Sequence, residues 1–470
     1  MAVENTVFIS YRRANVFHAR AIYQDLVSHG YDVFLDFEIL NAGAYKPVIL
    51  NHIKARAHFL VILTPSTLER CAEPNDWVRL EIETALAHKR SVVPLIFDGF
   101  DFQDAQPYLT GKLNLLLHYN ALRIPSDFFE EAMQRLRTEY LSQDIALVMH
   151  PIPTAHQDTI EHEHVVLTSG PPVTLQQLQA SVYFERGVAA EASNLDAKLT
   201  NYTRAIQLHP GYADAYNNRG VVHTHRGDLQ QALRDFDAAL RLDSNLPDAY
   251  NNRGNIYFAL GQDQEALSDY HEALLRNPDF TDVLVNRGNL YLRRKQFDRA
   301  IEDYTAALEK NPVSAKAYLG RSSVYFAVDD RSRAAADLEQ ALATDPSYHR
   351  AHYMLGRLHM MNRNMDAAMK SFNKAIELKS NFTDAIVGRG MTHFENGHYD
   401  AAIQDYTLAL AFAPDHVNAF INRGAAYSAQ GQHRLALRDY ESALQIDPQN
   451  SIARENHDIA RQKSEDETTA

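Results

Sequence analysis

The stretch TVFISYRR, Thr6 to Arg13, decides how the first third of the chain is read. Thr6–Ser10 is an apolar run without polar alternation, the pattern of a strand covered on both faces, as in a parallel sheet. Polar residues then follow directly at its carboxyl end. Working outward, strand and helix signals alternate. Residues 16–29 have helical spacing, and YDVFLD (31–36) is a second strand. FEILNAGAYKP (37–47) is a loop containing Gly43 and Pro47. Residues 48–57 read as a helix, HFLVILT (58–64) as a third strand, 76–89 as a helix and SVVPLIF (91–97) as a fourth strand. A weaker strand is expected near LLLHYNALRI (115–124), then a helix from about 126. Such alternation predicts an α/β domain, with ligands bound beyond the carboxyl ends of the strands where strand order reverses.

From about residue 175 the grammar changes. AYNNRGVVH (215–223), AYNNRGNIY (249–257), VLVNRGNLY (283–291), AIVGRGMTH (385–393) and AFINRGAAY (419–427) recur at multiples of 34 residues. A column of small residues runs Gly187, Gly220, Gly254, Gly288, Ser322, Gly356, Gly390 and Gly424. A proline column follows at Pro210, Pro278, Pro312, Pro346, Pro414 and Pro448. Each unit holds two helical stretches. The repeats resemble the tetratricopeptide (TPR) family, which implies an all-α superhelical solenoid of eight units. The domain reading is therefore 1–141 for the α/β domain, 142–173 for a linker, 174–448 for the repeats and 449–470 for a terminal helix and disordered tail. The linker holds four histidines in a Pro, Ser and Thr context, read as a tether rather than a metal site.

The repeats align with one another. Arg219, Arg253, Arg287, Arg321, Arg389 and Arg423 each precede an aspartate by sixteen residues: Asp235, Asp269, Asp303, Asp337, Asp405 and Asp439. The sixth repeat has Leu355 and Ser371 instead, and the first keeps Arg186 but has Asn201. Joint presence and joint absence predict ion pairs that set helix register; a groove for an acidic partner is the other reading. Asn218, Asn252, Asn286 and Asn422 form a second column. They are read either as a groove for a peptide backbone, which an amide can both donate to and accept from, or as helix–helix hydrogen bonds.

Composition bounds the function. The 470 residues exceed one ordinary core, and the 45% apolar and 23% charged content is that of a soluble globular protein. A net charge of −14 argues against a nucleic-acid binder, though not against a small basic nucleotide pocket. The one cysteine, Cys71, excludes an intrachain disulfide and fits a reducing cytosol. The chain begins without a basic n-region and has no membrane-length apolar run, so a cytoplasmic protein without a membrane partner is expected. P-loop, dinucleotide-fingerprint, H-E-x-x-H and G-x-S-x-G motifs are absent.

NDWVRLEIETAL (75–86) carries the only Trp and two glutamates. Val78, Ile82, Ala85 and Leu86 share one side at helical spacing and should face the sheet. Trp77 and Glu81, four apart, lie on a flank at the border of core and solvent. Arg79 and Glu83 form an i, i+4 pair on the other flank. Taken together, VFISYRR, GYDVFLD, LNAG and DWVRLEIETAL resemble the TIR (Toll/interleukin-1 receptor) domain over residues 5–141, and most closely its NAD+-cleaving members, among them the animal axon-degeneration NADase and bacterial defence proteins. The resemblance implies a flavodoxin-like parallel sheet with helices on both faces. It implies Glu81 as the catalytic carboxylate, in W-x-x-x-E context, and NAD+ as substrate with no cofactor or metal. It also implies self-association between TIR domains.

For substrate binding, Trp77 and Tyr11 are candidates for ring packing, and Arg12 and Arg13 for phosphate or protomer contact. Phe37, Leu40 and Gly43 belong to a gating loop. Each has a plainer reading: Trp77 as core filler, Arg12 and Arg13 as structural ion-pair partners, Ser10 as a turn residue, Cys71 as inert, His88 as solvent-facing. Two functions stand. The first is an NAD+ glycohydrolase releasing nicotinamide and ADP-ribose or a cyclic form, controlled by a protein or peptide partner in the repeat groove, in defence or stress signalling. The alternative is a non-enzymatic adaptor.

Overall fold

The computed structural model describes residues 5–35, 42–65, 67–72, 76–142 and 171–469. Contacts divide the chain into two compact units, Met1–Pro278 and Asp279–Ala470.

The first unit opens with a five-stranded parallel sheet: β1 (Thr6–Ser10), β2 (Asp32–Leu35), β3 (His58–Leu63), β4 (Ser91–Ile96) and β5 (Leu122–Arg123), in the order β2-β1-β3-β4-β5. Among the described residues, four α-helices are threaded between and after them: α1 (Val16–Ser28), α2 (Ala42–Ala55), α3 (Trp77–Ala87) and α4 (Phe129–Arg135). The expected alternation holds because the interiors of β1 (Val7–Ile9) and β3 (Phe59–Leu63) are unbroken apolar runs buried on both faces. Phe8 joins the cluster under α2 and α3, whereas Val7 and Ile9 join the cluster under α1 and α4.

Two expectations are met only in part. LLLH forms part of a 3-10 helix, Gly111–His118, and β5 is only two residues long. The leucines there carry no strand periodicity: Leu113 and Leu116, three apart, are the buried ones. And α2 begins at Ala42 rather than 48, so Gly43 and Pro47 stand within the helix, as its second and sixth residues, rather than in a loop. The four linker histidines lie outside the described residues.

Eight antiparallel helix pairs follow, from Leu175–Ala189 with Leu195–Leu208 to Val417–Ala429 with His433–Ile446, three pairs in the first unit and five in the second. Small residues are required where paired helices touch. A Cβ on Gly220 would stand 2.7 Å from the Phe236 ring, and one on Gly254 2.9 Å from Tyr270. The exception in the column explains itself: opposite Ser322 the aromatic is replaced by Leu338. All six Arg–Asp pairs form within their units, each bidentate, with Nη2–Oδ1 distances from 2.6 Å (Arg389–Asp405) to 2.8 Å (Arg321–Asp337). In the first repeat Asn201 bonds its own helix at Ala197 O, 2.9 Å away, and Arg186 lies over the Tyr183 ring. A final helix, Ser451–Thr469, continues through the tail expected to be disordered, where Arg461 and Glu465 make an i, i+4 pair. Among the described residues no helix is long and apolar enough to cross a membrane, and no cluster of His, Cys, Asp and Glu fit for a metal is present.

Candidate functional site

After β1 the chain crosses to β2 on one side and to β3 on the other, so strand order reverses at the carboxyl ends of β1 and β3. Ser10 ends β1 and pairs with Val61 of β3. Its Oγ donates to Oε2 of Glu81 at 2.5 Å, and both side chains are 0% exposed. Glu81 is thus not at the border of core and solvent. The buried residues of α3 are Val78, Glu81, Ile82 and Ala85, one stripe at i, i+3, i+4, i+7, and Glu81 is inside it. Ser10 is correspondingly no turn residue but the partner of a buried carboxylate.

Beside this pair lies a second polar cluster. Asp76 caps α3 by accepting from the Arg79 amide at 3.0 Å. It also takes both arms of Arg12, at 2.7 and 2.8 Å, while Arg12 Nε donates to Thr67 O at 3.0 Å. Burial alone would raise the Asp76 carboxyl, but the hydrogen bonds and charge of Arg12 outweigh it and hold the carboxyl below its usual range. Cys71 Sγ is 3.2 Å from Asp76, and burial pushes its thiol up to about 12, the state of an inert cysteine. Asn15 bridges Thr64 and Thr67 beyond the end of β3. Sequence reasoning missed Asn15, Thr64, Thr67 and Asp76. The available signal was their place just past two apolar strands and at the start of a helix.

The remaining candidates scatter. Arg12 is turned inward to Asp76 and is 6% exposed, so in this arrangement it offers nothing to a phosphate. Arg13 reaches the repeats instead, donating to Asn245 O at 3.0 Å and pairing with Asp243. Tyr11 packs with Ile9 and Ala19 on the opposite side of the sheet from α3, as strand alternation from Ser10 requires, and is not a ring-packing neighbour of Glu81. Trp77 is half-buried against the cluster on the α3 side. Arg79 pairs with Glu83 at 2.9 Å as expected, and His88 Nδ1 lies 2.9 Å from Thr84 O. Phe37 and Leu40 lie outside the described residues.

In the repeats, Asn252 donates to Asn217 of the preceding repeat at 3.2 Å, a bond between helices, while Asn217 donates to its neighbour Asn218 within one helix at 3.2 Å. Asn286 is half-buried. In the second unit Asn422 lines a cavity of about 550 Å³ with Tyr353, Arg357, Asp384 and His416.

With this geometry in hand, comparison with known proteins gives consistent matches. Residues 7–137 match the family model described as TIR domain. Residues 247–280, 281–312 and 417–450 match one described as tetratricopeptide repeat, and 319–381 match another of the same description. The chain is similar to the NAD(+) hydrolase tir-1 of Caenorhabditis elegans, 29% identical over 134 residues, which is 28% of this chain and 14% of that one. It is also similar to the NAD(+) hydrolase sarm1 of Drosophila melanogaster, 31% identical over 140 residues, or 29% of this chain and 10% of that one. Among solved structures, the APC/C hetero-tetramer Cut9-Hcn1 aligns over 74% of this chain and 66% of its own with a TM-score of 0.50 at 18% identity, a likeness of fold.

Proposed function

We propose, from the premise that the chain is a TIR domain followed by tetratricopeptide repeats, that it is an NAD+ glycohydrolase governed through its repeats. The observation that carries this is Glu81: a carboxylate held by Ser10 at the point where strand order reverses. The nicotinamide of NAD+ is already cationic and leaves readily. As its bond to the ribose breaks, the sugar becomes oxocarbenium-like, and a carboxylate beside it stabilises that charge and orients the ribose hydroxyls. Water then adds to the anomeric carbon, giving ADP-ribose; where water is excluded, an adenine nitrogen can attack instead and give a cyclic product.

Glu81 is the residue assigned to this role, and Trp77, at the start of the same helix, is assigned to the nicotinamide or adenine ring. Phe37, Leu40 and Gly43 are assigned to the mouth of the site, and Arg13 to a contact within the chain rather than to phosphate. A buried Glu81 cannot touch a ribose, so turnover requires the strand end and α3 to move apart. Self-association of the TIR domain, prompted by a protein partner on the repeats, is the proposed trigger. That same burial is also the one observation that favours an adaptor without chemistry. The two readings separate when the full-length protein, alone and artificially clustered, is incubated with NAD+ and nicotinamide release is followed. The enzyme reading expects turnover that Glu81→Gln and Glu81→Ala reduce by roughly a hundredfold or more. Equal release from wild type and Glu81→Ala would sink it.

A further inference from the structure

We propose that Arg13 is a positioning residue through which the repeat array holds the Ser10–Glu81 pair closed. The inference rests on the reading of Glu81 as the catalytic carboxylate and names how that site is regulated. Within four residues, the end of β1 makes three commitments. Ser10 holds the Glu81 carboxylate at 2.5 Å. Arg12 holds Asp76, the N-cap of the helix that carries Glu81. Arg13 holds the turn after the second repeat, through the Asp243 carboxylate and the Asn245 carbonyl.

That turn is itself fixed. The Asn245 amide donates to Asp243 Oδ1 at 2.8 Å, and Arg276, at the end of the third repeat, donates to the Ser244 carbonyl at 2.5 Å. Asp243 and Arg13 are each about one-third exposed, 31% and 32%, so a partner can reach them, unlike the buried Arg12–Asp76 pair.

The rest of the contact works in the same direction. Phe17 of α1 packs edge-on to Tyr212 with ring centroids 5.4 Å apart, and the Tyr212 hydroxyl donates to the Ala14 carbonyl at 2.9 Å. Ala14 is the residue after Arg13. The backbone that carries the two arginines is therefore pinned to the repeats at consecutive residues, and its other end is the strand terminus that must yield before Glu81 meets a ribose. A partner that displaces the 243–245 turn acts on the site through one short, already ordered path.

The test uses full-length protein and two readouts. Asp243→Asn removes the charge while keeping an acceptor for the Asn245 amide, Arg13→Ala removes the clamp from the other side, and Arg226→Ala breaks a repeat-surface pair, with Asp196, away from the junction. The first readout is NAD+ turnover without clustering. The second is the emission of Trp77, the chain's single tryptophan, adjacent to Asp76, and it needs no activity. Both Asp243→Asn and Arg13→Ala are expected to raise unclustered turnover at least threefold, with KM little altered, and to shift Trp77 emission; Arg226→Ala changes neither. Unaltered emission in both junction variants overturns the proposal, as does an emission shift without a rate gain in a protein that cleaves NAD+ when clustered. If wild type and Glu81→Gln release nicotinamide equally under every condition, the enzyme reading fails on its own account, and the emission shift then decides whether the repeats grip α3.

Discussion

Ser10 and Glu81 show how little of a site lies in residue type alone. A glutamate in a core-facing stripe is rare, because an unpaired buried charge is penalised by several kcal/mol, so the plain reading sends it to the surface. What makes the position tenable is a hydroxyl 71 positions away in sequence, and no local pattern announces that pairing. Removing the donor should therefore be felt in stability before it is felt in chemistry. Ser10→Ala leaves Glu81 short of a donor at about 1–3 kcal/mol, read as a drop in the urea midpoint at constant m-value. Glu81→Gln, whose amide oxygen still accepts from Ser10, should lose far less stability while losing turnover. An unchanged midpoint in Ser10→Ala would mean that the 2.5 Å contact holds nothing in place. The arginines tell the same story. SYRR displays two adjacent guanidinium groups, but only the fold reveals that one faces inward to a helix cap and the next outward to another domain.

At the scale of the element, the sequence spoke clearly wherever a pattern repeats. The Arg–Asp pairs were legible because eight variations on one helix pair act as an alignment, and the sixth repeat loses both partners together. That joint loss makes a prediction. Arg253→Leu strands Asp269, which is 4% exposed, and should cost about 3–5 kcal/mol as an unpaired buried charge. Adding Asp269→Ser, which copies the sixth repeat, should recover most of it. Thermal or urea unfolding of the two variants checks this, and a double variant no better than the single would remove the pair from the list of register devices. Ser322 opposite Leu338 supplies a parallel case. Gly220→Ala should cost about 1–3 kcal/mol through overpacking against Phe236, outweighing the ~1 kcal/mol that alanine gains in a helix. In a Phe236→Leu background the same change should turn neutral or favourable, a coupling that a double-mutant cycle measures directly. The elements that were misread lacked such redundancy. The 111–118 segment is leucine-rich without alternation, and α2 starts at Ala42 with Pro47 inside it, where a proline reads in sequence as a loop signal.

For the molecule as a whole, the sequence divides at the linker, but compactness divides after Pro278: the sheet domain and the first three repeats form one unit. The reason is α1, whose outward face carries Phe17, His18 and Ala21. Apolar residues on a second face of a sheet-covering helix were visible in sequence but had no addressee there, and the repeats supply it. His18 is the pH-sensitive member of this joint. It is 1% exposed, its ring lies 4.1 Å from that of Phe97, and Nδ1 is 3.2 Å from Ser181 Oγ in the first repeat helix. Burial lowers its pKa from 6.5 to about 4, against a smaller opposing pull from Asp98. The neutral ring is therefore the form that the folded joint accepts. Above pH 6.5 His18 is neutral whether the joint is folded or not, and its contribution is fully present. As pH falls through 6.5 towards 4 an unfolded or separated chain takes up the proton first, so the joint is destabilised by roughly 2 kcal/mol at pH 5 and by about 3 kcal/mol below pH 4. Hydrogen exchange of α1 and of residues 175–189 between pH 7 and pH 5 should show both segments losing protection together. His18→Gln, which can still bond Ser181 but does not titrate, should flatten that dependence. If α1 and the first repeat helix lose protection equally in wild type and variant, acid is acting elsewhere, and the histidine is a passenger in the interface rather than its pH-dependent part.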